Sequence, residues 1–400
     1  MTSRLFRLAL VLGLITAIGP FAIDMYLPAL PAIGTSLNAD STQVQMSLTV
    51  FFLAIGIGQL LYGPVSDMVG RKAPLYFGLA LYAMASVGCA LARDVETLVA
   101  FRFVQGLGAA AGMAIPRAVV RDLHTGNEAA RLMSLLMLVF SVSPILAPLA
   151  GSGLIALGGW RVVFWFAALA GVAGLALTAF SLAETRDARE RLDSTLAGAL
   201  RAYLLLLRDP HYLGLVFIGS FAMGGFFVFL SSSSFVFIDH YGFSPTQYSL
   251  AFGVNAAAFI GAAQFTAHLG HRLGLVTLVR RSALACAVDM AVLLGYFLLG
   301  GDDFRVLMAL YFVASAFMGW VIPSTSVLAL DTHGSIAGTA SALMGTLQML
   351  TGALMMGLVS LFAGHSPVVM VSGMAAGVFV ALALTWMSLR GPARLAVGQA

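Results

Sequence analysis

Three ionisable side chains stand inside long apolar stretches of this sequence: Asp24, Arg102 and Asp289. A charge in hydrocarbon is expensive, so each is a candidate for handling a proton or a charged group. Asp24 is the first choice for a proton carrier. A carboxyl that is dry in one conformation and wet in another takes up and gives back a proton as the two alternate. Arg102 stays charged, and is expected to tune the proton affinity of Asp24 or to couple its protonation to helix movement. Plainer alternatives stand beside these readings: a permanent contact of Asp24 with a helix end near the surface, and an Arg102 that snorkels outward. Asp289 reads more readily as a neutral, hydrogen-bonded acid than as a second proton site. Enzyme chemistry is not expected, because the apolar stretches offer no HExxH, no GxSxG and no clustered carboxylates. Cys89 and Cys286 read as small apolar residues, and His268 and His271 as loop histidines, so neither a metal nor a cofactor is expected.

The elements that position these groups follow from composition. Of 400 residues, 60% are hydrophobic and only 10% charged, with a mean hydropathy of +0.96. A soluble chain cannot hide that much apolar surface, and disordered chains are poor in these residues. The remaining solvent is lipid. Spans of roughly 20 apolar residues are expected near 6–27, 44–63, 74–92, 95–117, 132–155 and 161–183, then 211–236, 247–267, 274–299, 304–327, 337–361 and 366–388. Spans 8 and 9 are the hardest pair to separate. Asp24 then lies about 5 Å below the outer end of span 1, and Arg102 about 10 Å down span 4.

Charge tests the topology independently. With a cytoplasmic N-terminus, 17 of the 21 basic residues fall on the inner side, among them Arg4, Arg71, Lys72, Arg117, Arg121, Arg189, Arg390 and Arg394. Only Arg93, Arg161 and Arg305 fall outside, as expected when both termini are cytoplasmic. The excess of +4 therefore concerns topology, and no nucleic-acid partner is expected. A cleaved signal peptide is not expected either, since Pro20, Asp24 and Pro28 interrupt the first span and eleven more follow. The longest polar segment, 184–210, reads as a cytoplasmic linker with a surface amphipathic helix, or alternatively a plain tether. It separates a six-helix bundle at 1–183 from a second at 211–400.

The halves look related. Gly63-Pro-Val-Ser-Asp67-Met-Val-Gly70-Arg71-Lys72 follows span 2, and Ala263-Gln-Phe-Thr-Ala267-His-Leu-Gly270-His271-Arg272 follows span 8. Parallel six-span halves put a substrate path between them, near mid-membrane. Asp24 and Tyr26 on span 1, Phe226 and Phe227 with Phe229 on span 7, Asn255 on span 8 and Gln348 on span 11 are candidates for its wall. Aromatic faces with a few polar anchors suit amphipathic, drug-sized molecules. Packing or lipid contact is the alternative for each phenylalanine.

Several motifs carry a family resemblance. Gly63-x-x-x-Asp67-x-x-Gly70-Arg71-Lys72 resembles the loop 2–3 signature of the major facilitator superfamily, with Met68 where that family usually has arginine, one ionic contact fewer for an inward gate. Leu98-x-x-x-Arg102-x-x-Gln105-Gly106-x-Gly108 is similar to the span 4 signature of proton-coupled members. Ser143-Pro144-Ile-Leu-Ala-Pro148-Leu-Ala-Gly151-Ser-Gly153 resembles the span 5 antiporter motif without its usual Gly-Pro order. Together with Asp24-Met-Tyr26-Leu-Pro28, Arg117-Ala-Val-Val-Arg121-Asp122 and Gly159-Trp160-Arg161, these resemble the Bcr/CflA branch of drug:proton antiporters. The likeness covers nearly the whole first half; the second matches mainly in span pattern. It implies an all-α membrane protein of twelve transmembrane helices in two pseudo-symmetric bundles, acting as a monomer in a bacterial inner membrane. It also implies export of bicyclomycin-, chloramphenicol- or florfenicol-like compounds against protons, and close packing of Gly151 and Gly153 against span 8. The alternative within the same fold is transport of a small metabolite such as an amino acid or dipeptide.

Overall fold

A segment crossing hydrocarbon must satisfy its own backbone, which makes the α-helix the form open to these apolar stretches. The computed structural model describes residues 3–124, 126–187, 191, 195–362 and 366–389, and its long elements are all helices. The first half comprises α1 (Ser3–Asp24), α2 (Leu30–Leu37), α3 (Ser41–Val69), α4 (Lys72–Leu91), α5 (Val95–Leu123), α6 (Gly126–Gly158) and α7 (Arg161–Ser181). A short α8 (Leu196–Leu207) follows. The second half comprises α9 (Pro210–Phe235), α10 (Pro245–Gln264), α11 (Thr266–Leu273), α12 (Leu275–Leu298), α13 (Phe304–Asp331), α14 (Ala337–Ser360) and α15 (Pro367–Ser388).

Helix starts coincide with caps, because the first N–H groups of a helix have no partner inside it. Asp40 opens α3 with a capping box: its carboxylate accepts from Gln43 N at 2.8 Å, while Asp40 N donates to Gln43 Oε1 at 3.0 Å. Ser244 and Gln247 do the same for α10, with Pro245 in the first turn. Asp94, Asp209 and Asp303 cap α5, α9 and α13. Among the described residues, eleven helices are long and apolar enough to cross a membrane, or twelve if α10 and α11, bent by 45°, form one span. The chain turns from span 8 to span 9 at Gly274, φ 79°, and a further bend lies inside span 8, at Phe265.

Span 1 departs from expectation in a way that matters. Its apolar course runs from Phe6 to Leu37, well past residue 27. The helix stops at Asp24, makes a 3-10 turn at Leu27–Ala29 and resumes as α2. Pro28 and Pro31 explain both events: a ring without an N–H ends one helix, yet fits the first turn of the next. Asp24 therefore sits at a break within the span and not near its end.

The first half packs α1 against α5, α6 and α7, and α5 against α3 and α4; the second packs α9 against α13, α14 and α15, and α12 against α13 and α15. Between the halves, α3 lies against α14 and α6 against α10, while α2 and the 3-10 turn touch α9 and α10. The face of the molecule remote from the termini is closed. There Thr42 Oγ1 donates to Ser360 O at 2.9 Å and Ser249 Oγ to Pro148 O at 2.9 Å. The space between Gln45, Ser232 and Met370 is about 10 Å³, room for about one water. Linker helix α8 is capped by Thr195, buries Tyr203 and Leu206, and exposes Leu196, Leu200 and Leu204. Arg189, Arg390 and Arg394 lie outside the described residues.

Small residues set the closest approaches in the first half. A Cβ on Gly106 would stand 2.5 Å from Phe51 O, and one on Gly108 2.5 Å from Tyr82 N. Both obstacles are backbone, which cannot step aside. Gly153, by contrast, has open space around it. Gly108→Ala is expected to destabilise the first half by about 1–3 kcal/mol through overpacking, and Gly153→Ala to leave it unchanged. Thermal unfolding of the two purified variants in detergent checks this.

Candidate functional site

Where α1 breaks, its last carbonyls lose their helical partners. Tyr26 N turns to Ile23 O at 3.3 Å, and the carbonyl of Ala22 receives Arg102 Nη1 at 3.3 Å. A guanidinium at the negative end of a helix is favourable. Arg102 is completely buried. Its Nη1 also donates to Gln105 Oε1 at 2.7 Å, and Gln105 Nε2 donates to Ser86 Oγ at 2.7 Å. Aromatic rings surround the charge, with Phe51 at 3.9 Å, Tyr26 at 4.5 Å and Phe164 at 5.9 Å from guanidinium carbon to ring centre. Cation–π attraction replaces part of the lost hydration. Its Nε and Nη2 have no hydrogen-bond partner among the described residues. Outward snorkelling is thus excluded in this conformation.

Asp24 stands on the other side of the same break, 5% exposed. Its Oδ2 accepts from Ser143 Oγ of α6 at 3.0 Å, and the Tyr248 hydroxyl of α10 is within electrostatic range. Tyr248 is itself buried and shares a hydrogen bond with Ser233 Oγ of α9 at 3.2 Å. The acid therefore sits where α1 and α6 of one half meet α10 of the other. No Asp24–Arg102 ion pair occurs among the described residues; the two are linked through the α1 backbone, two residues apart at Ala22 and Asp24. Sequence reasoning missed Tyr248, and quoted Ser143 only as part of a motif. A polar residue adjoining a proline kink was the available signal for Ser143.

The candidate substrate wall divides. Tyr26 is fully buried within the first half, its hydroxyl 2.7 Å from Ser47 Oγ, so it belongs to the Arg102 cage and not to a path. Phe227 crosses between halves, its ring 4.7 Å from that of Phe52. Phe226 stacks on Phe259 at 6.4 Å and stays partly exposed. Phe229 is buried between Phe252 and Tyr311, a packing role. Asn255 is buried, with Nδ2 3.3 Å from Met308 Sδ and Oδ1 unpartnered among the described residues. Gln348 is partly buried beside Gly219 of α9. The span 5 motif is also corrected. Pro148 and Ile145 do meet α10, at Ser249 and Gly253, but Gly151 packs on the Met25 backbone of the first half and Gly153 packs on nothing. Asp289 is half-buried, and its Oδ2 has no hydrogen-bond partner among the described residues, contrary to the hydrogen-bonded acid expected.

The loop 2–3 signature forms a second centre, wider than the motif itself. Arg71 has a side chain only 3% exposed. It binds Asp122 of α5 through Nε at 2.7 Å and Nη2 at 2.9 Å, Asp67 through Nη1 at 2.6 Å and Ser66 Oγ at 2.8 Å. Burial alone would lower its pKa; the carboxylates of Asp122 and Asp67 raise it instead. Gly70, at φ 100°, turns the chain so that Arg71 N and Lys72 N reach the Glu184 carboxylate at 2.8 and 3.1 Å. A Cβ on Gly70 would stand 2.6 Å from Glu184 Oε2. Gly63 is looser, with Tyr203 of α8 as its nearest neighbour, and Lys72 lies over the Tyr76 ring. Met68 is exposed. Partial burial opposes ionisation of Glu184, but N–H groups of Arg71, Arg186, Lys72 and Thr185 outweigh it and hold its carboxyl below the usual range. A cavity of about 730 Å³ lies beside this centre, between Arg7, His124, Glu128, Phe180 and Glu184, and does not include Asp24.

A carboxylate whose folded pKa is depressed stabilises the fold above its unfolded value, about 4.3 for glutamate, and stops doing so as pH falls through the folded value. Wild type minus Glu184→Gln is therefore expected to show a melting-temperature gap that is full at pH 6–7 and shrinks below about pH 4. Scanning fluorimetry across that range checks it.

Comparison with known proteins agrees with this architecture. The Major Facilitator Superfamily model matches residues 12–356. The chain is 36% identical to an MFS-type transporter of Bacillus subtilis, YdgK, over 88% of each chain. It is 31% identical to a bicyclomycin resistance protein homolog of Haemophilus influenzae over 89% of each, and 32% identical to a chloramphenicol resistance protein of Pseudomonas aeruginosa over 71% of this chain and 67% of that one. Among solved structures, a D-xylose-proton symporter superposes with a TM-score of 0.74 at 18% identity, covering 96% of this chain and 97% of the other. Apolar helices, paired halves and these relatives together make the chain a multi-pass inner-membrane transporter, not an enzyme, and it belongs to the major facilitator superfamily, in a Bcr/CflA-like branch.

Proposed function

We propose that this protein exports amphipathic drugs in exchange for protons by alternating access, with Asp24 as the proton carrier. The observation that carries the reading is the position of that carboxyl, buried at a helix break where both halves meet. A group on such a seam changes its water contact whenever the halves move, which is what coupling requires. The names of the relatives support drugs as the cargo.

In this scheme the bundles 1–183 and 211–400 rock about the 184–210 linker, as a monomer. Both termini are cytoplasmic, in keeping with the skew of basic residues. The closed face is then the outer one. Opening it parts α10 from α6, wets Asp24 and admits a proton from outside once the drug has left. Closure carries the protonated acid inward. A drug entering from the cytoplasm then takes its place between Phe226, Phe227 and Gln348 while the proton departs to the cytoplasm.

Arg102 acts as a positioning residue. Its bond to Ala22 O fixes the end of α1, so a change of charge two residues further on is felt by a helix that is held and not slack. The Arg71 centre holds loop 2–3 to α5 and to the start of the linker, joining the cytoplasmic ends of the first bundle into one moving body.

Energised inside-out vesicles test the scheme. Asp24→Asn is expected to abolish proton-driven uptake of labelled chloramphenicol or bicyclomycin while the protein stays folded; undiminished uptake would remove Asp24 from coupling. Arg102→Lys keeps the charge but loses the planar fork, and is expected to slow transport without lowering drug affinity in direct binding measurements.

A further inference from the structure

We propose that Arg117, with Arg121 one turn beyond it, forms an anion-recognition site on the cytoplasmic approach to the path, so that preferred cargo carries a carboxylate or similar group; this rests on the efflux reading above. Residues 113, 117 and 121 share one face of α5. At one end of that face Met113 lies against Gly19 of α1, and at the other the Arg121 guanidinium lies against Gly338 of α14 in the second half. The face thus looks across the seam between the bundles. Arg117 is six residues from the end of α5, about 9 Å in from the cytoplasmic side.

Among the described residues Arg117 has no counter-ion. It is partly buried, its Nε donates to Met113 O at 2.9 Å, and it forms no ion pair among the described residues. The charge that acts on it is Arg121, of the same sign. Two carboxylates lie within range of Arg121, Asp67 and Asp122, but both are engaged by Arg71 at 2.6–2.9 Å. The first turn of α14 adds the positive end of a helix beside Arg121. Arg121 is exposed and shares the field of those carboxylates, so the cost falls on Arg117, a partly buried charge met by a backbone carbonyl and a like charge one turn away. A negative group brought by the cargo removes that cost, and a guanidinium fork matches a carboxylate in shape.

The test uses the full-length protein and a pair of probes differing in one charge: labelled nalidixate, a carboxylate, and its neutral methyl ester, with ethidium as the cation. In detergent, wild type is expected to bind nalidixate at least about tenfold more tightly than the ester. Arg117→Gln should erase that difference while leaving ester binding unchanged, and Arg117→Lys should restore part of it. Equal affinities for acid and ester in wild type, tighter binding of ethidium, or an Arg117→Gln variant that weakens all three probes alike would each overturn the proposal. Proteoliposome transport separates the two readings. Arg117-dependent binding without proton-driven export would keep the anion site and remove the efflux scheme.

Discussion

The break in the first span is the constraint on which the rest of this structure depends. Hydrocarbon supplies no water for a free carbonyl, so a helix that stops inside the membrane needs a donor from elsewhere. Arg102 of α5 is that donor, at Ala22 O. Its own burial then demands the aromatic box of Phe51, Tyr26 and Phe164 and the Gln105–Ser86 relay. The glycines at 106 and 108 follow from the same need, because α3 and α4 must approach α5 closely to seal the charge from lipid. One interrupted helix thus organises five of the six spans in the first half.

The second consequence is asymmetry between the halves. The first half carries the buried arginine, the break and the loop 2–3 centre, in which one guanidinium ties together residues 67, 71 and 122 while Glu184 holds the backbone of 71 and 72. The second half contributes apolar and aromatic surface and isolated polar groups, among them Tyr248 and Asn255.

How much of the site was legible depended on whether a signal was local. Asp24 and Arg102 stood out as charges in apolar stretches, and Gly70 and Arg71 through their spacing. Tyr248 and Ser143 carried no such mark, since serines and tyrosines are unremarkable in membrane helices until a partner is seen. Tyr26 looked like a wall residue by proximity to Asp24, yet two positions along a broken helix point to opposite sides. Glu184 read as one charge in a solvated linker, because nothing local reveals that it meets backbone N–H groups more than a hundred residues away.

By itself the sequence determined the solvent, the number and order of the spans, and the identity of the few charges worth asking about. Those properties follow from transfer free energies, which are sums over neighbouring residues. The tertiary structure alone decided the depth of Asp24, its separation from Arg102, the packing of Gly151 on Met25, and the closure of one face. These depend on where a chain turns after a proline and on which distant carbonyl or carboxylate fills a vacancy. Such pairings are set by shape and hydrogen-bond geometry between helices far apart in the chain, and hydropathy carries no record of them.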